Sequence, residues 1–387
     1  MQIKNHILIT PSWYPSFPGD IGGSFFREQA LALRKRGHKV GVIAPTFRSF
    51  RDVKGIFNKP YGIKVEVDEG ISTHRYHTMS FPKMSGLNKS RFLQIGERLF
   101  EKYIKENGIP DLIHVHSMIN AGFIALRLKE KYDIPYLVTV HSTAFARKLV
   151  PSSVLDALQP VVNEASHNIA VSGEFKKLLN KIFNTNKWVY VPNIVNDEFF
   201  KMQLPKNKKE QFTFINVCFL DRKKRVDLLI NAFAKVFKGQ KDIRLKIGGD
   251  GSEKNNLIEQ AEQLGVSKQI DFLGRLTRDQ VKHEVLSADA FVLSSEYETF
   301  GVVLIEALAL GKPIIATKCG GPESIISPEV GYLVEKNSID DLARAMSDLF
   351  ENYGQFESEE IREYCIQQFS EDAVIKKLET IYMDVLS

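Results

Sequence analysis

The sequence contains no run of about 18 apolar residues, the least that a membrane-spanning helix needs. Its first residues also lack the hydrophobic core of a secretion signal, because the apolar run at residues 7–9 is followed at once by Pro11, Trp13 and Pro15. Cysteine is scarce and widely spaced, with only Cys218, Cys319 and Cys365. This spacing excludes a disulfide framework and a C-x-x-C zinc site. We therefore expect a cytoplasmic protein.

What is present is the composition of an ordinary globular protein of 387 residues, 43% of them hydrophobic and 26% charged. At about 100–200 residues per domain, this length predicts two domains. The net charge of +5 is unevenly divided. Residues 1–195 hold 27 Lys and Arg against 15 Asp and Glu, a net charge of +12, which leaves −7 for the rest. The first half thus suits an anionic surface or ligand, although a generic solvated surface explains the charge equally well.

Short apolar runs alternate with longer amphipathic stretches, which is the rhythm of parallel sheets covered by helices. In the first half we predict strands at residues 6–10, 40–44, 112–116, 136–140, 168–171 and 189–191, and helices at 24–36, 89–106, 121–131 and 174–181. The polar segment 201–211 is the predicted linker. After it we predict strands at 212–217, 243–247, 270–273, 290–293 and 313–316, helices at 226–237, 253–264, 279–286 and 302–310, and a helical tail from 338 onward. Two such units in series make a cleft between them the default ligand site.

The most informative segment is residues 293–321, LSSEYETFGVVLIEALALGKPIIATKCGG. Seven residues separate Glu298 from Glu306, and a helix that begins near Gly301 would place the second glutamate about one turn inside it. The backbone N–H groups of Gly301 and Val302 would then form an anion site at the positive helix end. Taken alone, Glu298 is better explained as an ordinary surface carboxylate. Glu306 has apolar neighbours, where an unpaired carboxylate is costly, so we predict that it has a partner.

Residues 294–326, which extend this segment, resemble the Glu-x7-Glu signature of glycosyltransferase family 4. The resemblance implies an α/β protein of the GT-B fold, in which two Rossmann-like doubly wound parallel-sheet domains face a cleft. It implies an acceptor-binding domain at residues 1–200, a domain that binds the nucleotide sugar at 201–369, and a helix at 370–387 that crosses back to the first domain. The implied activity is retaining, metal-independent transfer of a sugar from a nucleotide-sugar donor.

The same resemblance assigns donor contacts around the signature. Glu306 would bind the ribose hydroxyls and Glu298 the sugar ring. The diphosphate would lie at the helix start, formed by Phe300, Gly301 and Val302.

Residues 217–233 resemble the family's strand, loop and helix that carry a lysine and usually an arginine for the leaving diphosphate. Lys224 falls on the lysine position, but Phe219 occupies the arginine position. Arg222 is the candidate replacement, although it is equally well explained as a solvated member of a basic cluster.

Two further loops resemble the family's nucleotide-binding loops. Residues 247–251, IGGDG, match its glycine loop, which is a weak signal alone. Residues 272–275, FLGR, match the loop that holds the base, with Leu273 and Arg275 as the expected contacts.

The first half carries two more matches. Gly22 and Gly23 occupy a loop where the family's backbone approaches the donor diphosphate, although a tight turn explains them as well. His141 ends a predicted strand, where the family commonly has an active-site histidine that contacts the transferred sugar. We expect His114 and His116 to point to opposite faces of their strand, which disfavours a histidine metal site.

The chain has no D-x-D pattern, which disfavours the metal-dependent fold for sugar transfer. We therefore expect neither metal nor cofactor, with the nucleotide sugar as co-substrate and Glu298, Lys224 and His141 as the catalytic candidates. Among family members UDP-sugars are the commonest donors, followed by GDP-mannose. The implied acceptor is a saccharide or a lipid-linked molecule, in bacterial-type surface polysaccharide or glycolipid assembly.

Residues 81–106 interleave aromatic and aliphatic side chains with lysines and arginines, the pattern of a basic amphipathic helix. It fits peripheral contact with the inner face of an anionic cell membrane, and it fits equally well a helix packed on the sheet. Two other functions stay open, a nucleotide-sugar 2-epimerase and a non-catalytic scaffold that binds nucleotide sugars. Nucleic acid is not an expected partner, because the basic residues form no reader motif and the second half is acidic.

Overall fold

The protein divides into two compact units in the computed structural model, which describes residues 5–15, 23–49, 61–81, 85–205 and 210–387. Unit 1 comprises Met1–Val171, Lys176–Val191 and Val374–Ser387, and unit 2 comprises Ser172–Phe175 and Pro192–Ala373. No helix among the residues described is long and apolar enough to cross a membrane.

Unit 1 is built on an eight-stranded sheet with the strand order β3-β4-β2-β1-β5-β6-β7-β8. Its strands are β1 (His6–Pro11), β2 (Lys39–Arg48), β3 (Gly62–Asp68), β4 (Ile71–Met79), β5 (Leu112–His116), β6 (Tyr136–Val140), β7 (His167–Ala170) and β8 (Trp188–Tyr190). Its helices are α1 (Ser24–Lys35), α2 (Ser85–Asn107), α3 (Met118–Tyr132), α4 (Ser152–Glu164) and most of α5 (Gly173–Ile182). Neighbouring strands are parallel except β3, which pairs antiparallel with β4 at the edge.

The centre of this sheet is fully enclosed. Every residue of β1, β5 and β6 is buried, as expected for parallel strands with helices on both faces. On one face, α2 buries Phe92, Leu99, Phe100 and Tyr103. The close approach of this helix requires glycine at position 41 of β2, because a Cβ on Gly41 would lie 2.0 Å from the Tyr103 hydroxyl.

Unit 2 is a six-stranded parallel sheet with the order β11-β10-β9-β12-β13-β14. Its strands are β9 (Phe212–Val217), β10 (Ile243–Gly248), β11 (Ile270–Gly274), β12 (Ala290–Leu293), β13 (Ile314–Thr317) and β14 (Gly331–Val334). Its helices are α6 (Val226–Phe237), α7 (Lys254–Gln263), α8 (Arg278–Ser287), α9 (Val302–Ala309), α10 (Ile339–Glu351) and α11 (Ser358–Phe369). Each unit is therefore a doubly wound parallel sheet of the Rossmann type, which confirms the predicted α/β class.

The last helix, α12 (Glu371–Leu386), lies mostly in unit 1. Tyr382 is fully buried there, with its hydroxyl 2.7 Å from Nδ1 of His114 in β5. Glu379 is 2.8 Å from the Arg36 guanidinium and 3.1 Å from Nε2 of His38, just beyond α1. These three polar contacts fasten the helix to unit 1.

The boundary between the units lies before the predicted linker. Residues 192–200 belong to unit 2, whereas we expected the second domain to begin at 201. They are held in unit 2 by two hydrogen bonds: Val195 N–H donates to the Phe369 carbonyl at 2.9 Å, and the Arg362 side chain donates to the Phe200 carbonyl at 3.5 Å. Residues 206–209 of the predicted linker lie outside the described residues.

Candidate functional site

The loops after the strands of unit 2 meet at one edge of the sheet, because the carboxyl ends of parallel strands share an edge. The loop after β9 contacts the loops after β10 and β12. Gly249, after β10, has φ 136° and lies so close that a Cβ would be 1.8 Å from the Cys218 carbonyl. Glu296 N–H, after β12, donates to the Lys223 carbonyl at 2.8 Å. Sequence matches that are far apart in the chain are thereby brought together.

Lys224 and Glu298 form an ion pair at this edge. Nζ of Lys224, which ends a 3-10 turn at Arg222–Lys224, donates to Oε1 of Glu298 at 2.6 Å. Ser295 donates a second hydrogen bond to the same oxygen at 2.8 Å. The side chains are 18% and 12% exposed, so both charges are largely removed from water yet reachable by a ligand. The two residues that the resemblance assigned separately thus form one charged unit.

The protonation state of the pair follows from its surroundings. Burial lowers the pKa of Lys224, but the charge and hydrogen bond of Glu298 outweigh burial, and the net result is a raised pKa. Lys224 is therefore a permanent cation at neutral pH. The nearby Cys218 thiol stays protonated, because burial raises its pKa to about 12.

Helix α9 begins where the signature predicts. Gly301 precedes it with φ 107°, a conformation that other residues rarely adopt, and Val302 is its first residue. Phe300 is 1% exposed, backbone and ring together, and its ring packs edge-on against Phe369, so its side chain is closed to a ligand. Gly321 abuts that backbone, since a Cβ there would be 2.3 Å from the Phe300 carbonyl oxygen.

The loop after β13 is fastened by a glutamate that sequence reasoning did not select. The Glu323 carboxylate accepts hydrogen bonds from Gly320 N–H at 2.9 and 3.0 Å. Burial raises the pKa of this carboxyl. Gly320 in turn lies against the backbone of Glu298, because a Cβ on Gly320 would be 3.0 Å from the Glu298 carbonyl oxygen.

Glu306 has the partner that its apolar neighbours required. Its carboxylate is 2.7 Å from a guanidinium nitrogen of Arg278, the first residue of α8. The side chain of Glu306 is 4% exposed and that of Arg278 is 35% exposed. The Arg278 guanidinium also lies over the Phe199 ring at 5.3 Å. No local pattern pointed to Arg278, because it is remote in sequence from the signature.

The remaining donor candidates lie on the surface of unit 2. Phe219 is 65% exposed in the loop after β9. Arg222 and Arg275 are exposed, and neither side chain has a hydrogen bond, ion pair or ring contact among the residues described. Leu273 is half-buried at the end of β11. Neither arginine is therefore held in place as a substitute for the one that is missing at Phe219.

In unit 1 the candidate residues are His141, Gly22 and Gly23. Gly23 has φ 84° and precedes α1, while Gly22 lies outside the described residues. His141 follows β6, and its ring is 5.0 Å from the rings of both Phe25 and Phe26.

The expectation for His114 and His116 is wrong. Their rings stack with centroids 4.2 Å apart, because residues two apart on a strand point to the same face. His116 in turn lies 3.2 Å from His141, measured from Nδ1 to Nε2. No group of three histidine, cysteine or acidic side chains in the described part of the chain is arranged to hold a metal ion.

Comparison with known families agrees with this geometry. Residues 22–199 match the family described as Glycosyltransferase Family 4, and residues 196–370 match Glycosyl transferases group 1. The two matches together cover both units.

Individual proteins extend the likeness to the full length. The chain is 28% identical to the N-acetyl-alpha-D-glucosaminyl L-malate synthase of Bacillus anthracis, over 96% of each chain. Among solved structures, a sucrose-phosphate synthase from Thermosynechococcus elongatus superposes with a TM-score of 0.80 at 19% identity, over 98% of this chain and 99% of that one. HepE of Anabaena in complex with UDP and glucose superposes with a TM-score of 0.74 at 16% identity, over 98% and 100%. The chain is a glycosyltransferase family 4-like protein with the GT-B fold.

Proposed function

We propose that this protein transfers a sugar, with retention of its anomeric configuration and without a metal ion, from a nucleotide sugar to a saccharide or lipid-linked acceptor. The observation that carries the proposal is the Lys224–Glu298 pair beside the start of α9. It puts a permanent cation, a carboxylate and a positive helix end at the carboxyl edge of one parallel sheet.

The donor diphosphate is proposed to lie at Lys224 and the N–H groups of Gly301 and Val302. A lysine binds phosphate as a point charge, and the helix end adds a partial positive charge. Charge that develops on the leaving diphosphate is then stabilised by groups already in place. The absence of a D-x-D pattern is consistent with this arrangement.

The ribose is proposed to bind Glu306. A carboxylate accepts hydrogen bonds from two neighbouring hydroxyl groups, and the Arg278 guanidinium at 2.7 Å places a positive charge beside this buried carboxylate. The base is proposed to lie against the backbone at Leu273 and Arg275, by the resemblance alone.

The sugar is proposed to contact Glu298 and His141. In a retaining transfer the bond between the anomeric carbon and the phosphate oxygen breaks, and the acceptor oxygen bonds to that carbon from the same side. The leaving phosphate takes the acceptor's proton, so no protein base is required. A double displacement would instead need a carboxylate nucleophile on the opposite sugar face.

Two findings bear on the substrates. The solved structure of HepE contains UDP and glucose, which favours a UDP-sugar here, with GDP-mannose second. The positive charge of the first half favours an anionic or lipid-linked acceptor and peripheral contact with an anionic membrane, in surface polysaccharide or glycolipid assembly.

A thermal-shift panel of UDP-, GDP- and ADP-sugars in EDTA tests the proposal. We expect one nucleotide to raise the Tm of the wild type and of Glu296→Ala, a control on the same loop as Glu298, but not of Glu306→Ala. Each variant is compared with its own ligand-free Tm, so a change in stability does not obscure binding.

Four outcomes would count against the proposed function. No shift with any nucleotide sugar at saturation, or a shift that requires a divalent ion, contradicts metal-free donor binding. Binding without transfer to any acceptor supports the scaffold, and conversion of the donor without an acceptor supports the epimerase.

A further inference from the structure

Strand β3 is the last strand at one edge of the unit 1 sheet. It pairs with β4 over its whole length, Gly62–Asp68, without a bulge. Alternate residues of an antiparallel strand direct their N–H and C=O groups away from the partner strand. None of these groups on β3 has a hydrogen-bond partner beyond β4 in the described part of the chain. Proteins commonly protect such an edge with a bulge or a proline, and β3 has neither.

One face of β3 exposes apolar side chains. Val65 is 41% exposed and Val67 is 73% exposed, although both are aliphatic residues of a regular strand. Ile63 lies on the same face, because side chains two apart on a strand point the same way. It lines a groove of about 370 Å³ between β3 and α2, together with Arg98, Glu101, Lys102, Lys105 and Glu106. The open edge is therefore bordered by an uncovered apolar row.

The other face of β3 is held firmly. The Glu66 carboxylate is 2.7 Å from the Arg75 guanidinium of β4 and 2.9 Å from Nζ of Lys64. Asp68 is 2.5 Å from the Arg27 guanidinium of α1. These ion pairs keep the strand in its extended form before any partner arrives. A preformed surface loses less conformational entropy on binding than a flexible one does.

The sequence of β3 is complementary to itself. A two-fold axis perpendicular to the sheet would pair two copies of β3 antiparallel, with the α2 face of each on the same side. Opposed residues then share a face, so the axis must pass through a residue. An axis at Lys64 or at Glu66 would set a charge against itself. An axis at Val65 instead places Lys64 opposite Glu66 of the second copy, twice by symmetry.

The same axis also covers the apolar row. Val65 would meet Val65 of the second copy, and Val67 would lie opposite Ile63, which lines the groove. Pairs of β-branched residues across two strands stabilise a sheet. The charges and the apolar side chains thus select the same register.

We propose that this protein forms a two-fold symmetric dimer in which the β3 strands of two copies pair antiparallel about Val65 and join the two unit 1 sheets into one. Stable dimers bury about 1,200–2,000 Å², which is more than one pair of strands supplies. The charges of both signs along the outer side of α2 are therefore expected to contribute, because both α2 helices lie on the same side of the joined sheet. The dimer concerns a surface of unit 1 and does not depend on the proposed function.

A residue on a two-fold axis faces its own copy, and this gives the dimer a specific test. Val65→Lys and Val65→Glu each set two like charges face to face. We expect each variant alone to dimerise about 100-fold more weakly than the wild type in sedimentation velocity. An equimolar mixture of the two variants should recover the dimer, because opposite charges then face each other. Val65 is partly exposed, so both variants should fold.

Two controls separate this register from others. Val67→Lys and Val67→Glu face Ile63, so each should weaken the dimer and mixing them should not restore it. Leu149→Lys replaces an exposed leucine elsewhere in unit 1 and should dimerise as the wild type does. Amide hydrogen exchange provides an independent measurement. The amides of β3 should be protected in the wild-type dimer and should exchange faster in Val65→Lys and in Val65→Glu.

Several results would overturn the proposal. A monomeric wild type with protected β3 amides would mean that another part of the same chain covers the edge, and one with exchanging amides would mean that the edge stays open. A dimer that persists in both Val65 variants would have its interface elsewhere. Failure of the Val65→Lys and Val65→Glu mixture to associate would exclude an axis at Val65.

Discussion

At the scale of single residues, the burial of Glu306 is the most demanding feature of unit 2. It lies on a helix of eight residues, six of which are buried, and a carboxylate there must be compensated. Arg278, from a different helix, supplies the charge at 2.7 Å.

Removal of that arginine should destabilise the protein. We expect Arg278→Met to lower the free energy of unfolding by about 1–3 kcal/mol, because it leaves a buried carboxylate without its cation. Urea denaturation provides the measurement, and Arg275→Met, an exposed arginine in the preceding loop, is the matched control. Adding Glu306→Gln to Arg278→Met should restore part of the stability. Equal stability of Arg278→Met and wild type would show that the Arg278–Glu306 pair does not contribute to the free energy of unfolding.

The lysines of the 3-10 turn give a second prediction. We expect Lys224→Met to lower kcat/KM for transfer by about 10²–10³-fold, because the leaving diphosphate loses its cation. Lys223→Met is the control, since its ammonium lies 3.3 Å from Asp221 and has no assigned role. Arg222→Met in the same assay decides whether that guanidinium replaces the arginine absent at Phe219. A Lys224→Met enzyme as active as the control would exclude Lys224 from the site.

At the scale of elements, α2 shows how an amphipathic pattern is resolved by structure. Its apolar face packs on the sheet, which confirms the interpretation as a packed helix, and its outer face mixes Arg98 and Lys105 with Glu101 and Glu106. Arg91 is engaged within the unit, where it donates to Thr78 and to the Met79 carbonyl. The proposed membrane contact through α2 would therefore depend on its exposed charges and not on buried apolar side chains.

Charge reversal of the exposed residues tests this dependence. We expect Arg98→Glu with Lys105→Glu to weaken sedimentation with anionic liposomes, at about 1 kcal/mol for each basic residue near the surface. Lys241→Glu, an exposed lysine of unit 2, should have little effect. Donor binding should be unchanged in all three proteins. If the double variant binds liposomes as well as the wild type does, α2 is not a membrane contact.

The elements that sequence patterns predicted are those with continuous apolar runs. Strands β1, β5, β6, β9 and β12 were predicted within a residue of their observed limits. The edge strand β3 and its neighbour β4 were missed, because β4 buries polar side chains such as His74 and Arg75. Arg75 is accommodated by an ion pair with Glu66 of β3 at 2.7 Å, a compensation that no apolar pattern records. Helix α4 was missed as well, and it carries Pro160 inside it.

At the scale of the whole molecule, the buried histidines should make stability depend on pH. His114 and His116 are uncharged in the folded protein, because burial lowers the pKa of His116 to about 3 and that of His114 well below its usual value. In the unfolded chain both titrate near 6.5. Between these values the unfolded chain binds more protons than the folded one, so stability falls as the pH falls below about 6.5.

The expected slope is measurable. Each such histidine contributes up to about 1.4 kcal/mol of lost stability per pH unit in this window. Urea unfolding at pH 7.5, 6 and 5 should therefore give a steeper decline for the wild type than for His116→Phe. Identical slopes for the two proteins would mean that His116 is protonated in the folded state.

The sequence motifs placed Lys224, Glu298 and Glu306 in one site because each lies within a contiguous pattern at the end of a strand or the start of a helix. Arg278 and the contact between His116 and His141 were not foreseen, since they depend on which helices and strands become neighbours. The error over His114 and His116 is different in kind. Strand periodicity alone places residues two apart on the same face, so the correct orientation was available from the sequence.

The buried contact between Tyr382 and His114 also has a consequence for biosynthesis. Domains generally fold in order as they leave the ribosome, but the strand that carries His114 is made long before α12. Until that helix emerges, Nδ1 of His114 lacks the Tyr382 hydroxyl, and Arg36 and His38 lack the Glu379 carboxylate. We therefore expect unit 1 to remain incompletely folded while all of unit 2 is translated. Protection by a chaperone would be most effective during this interval.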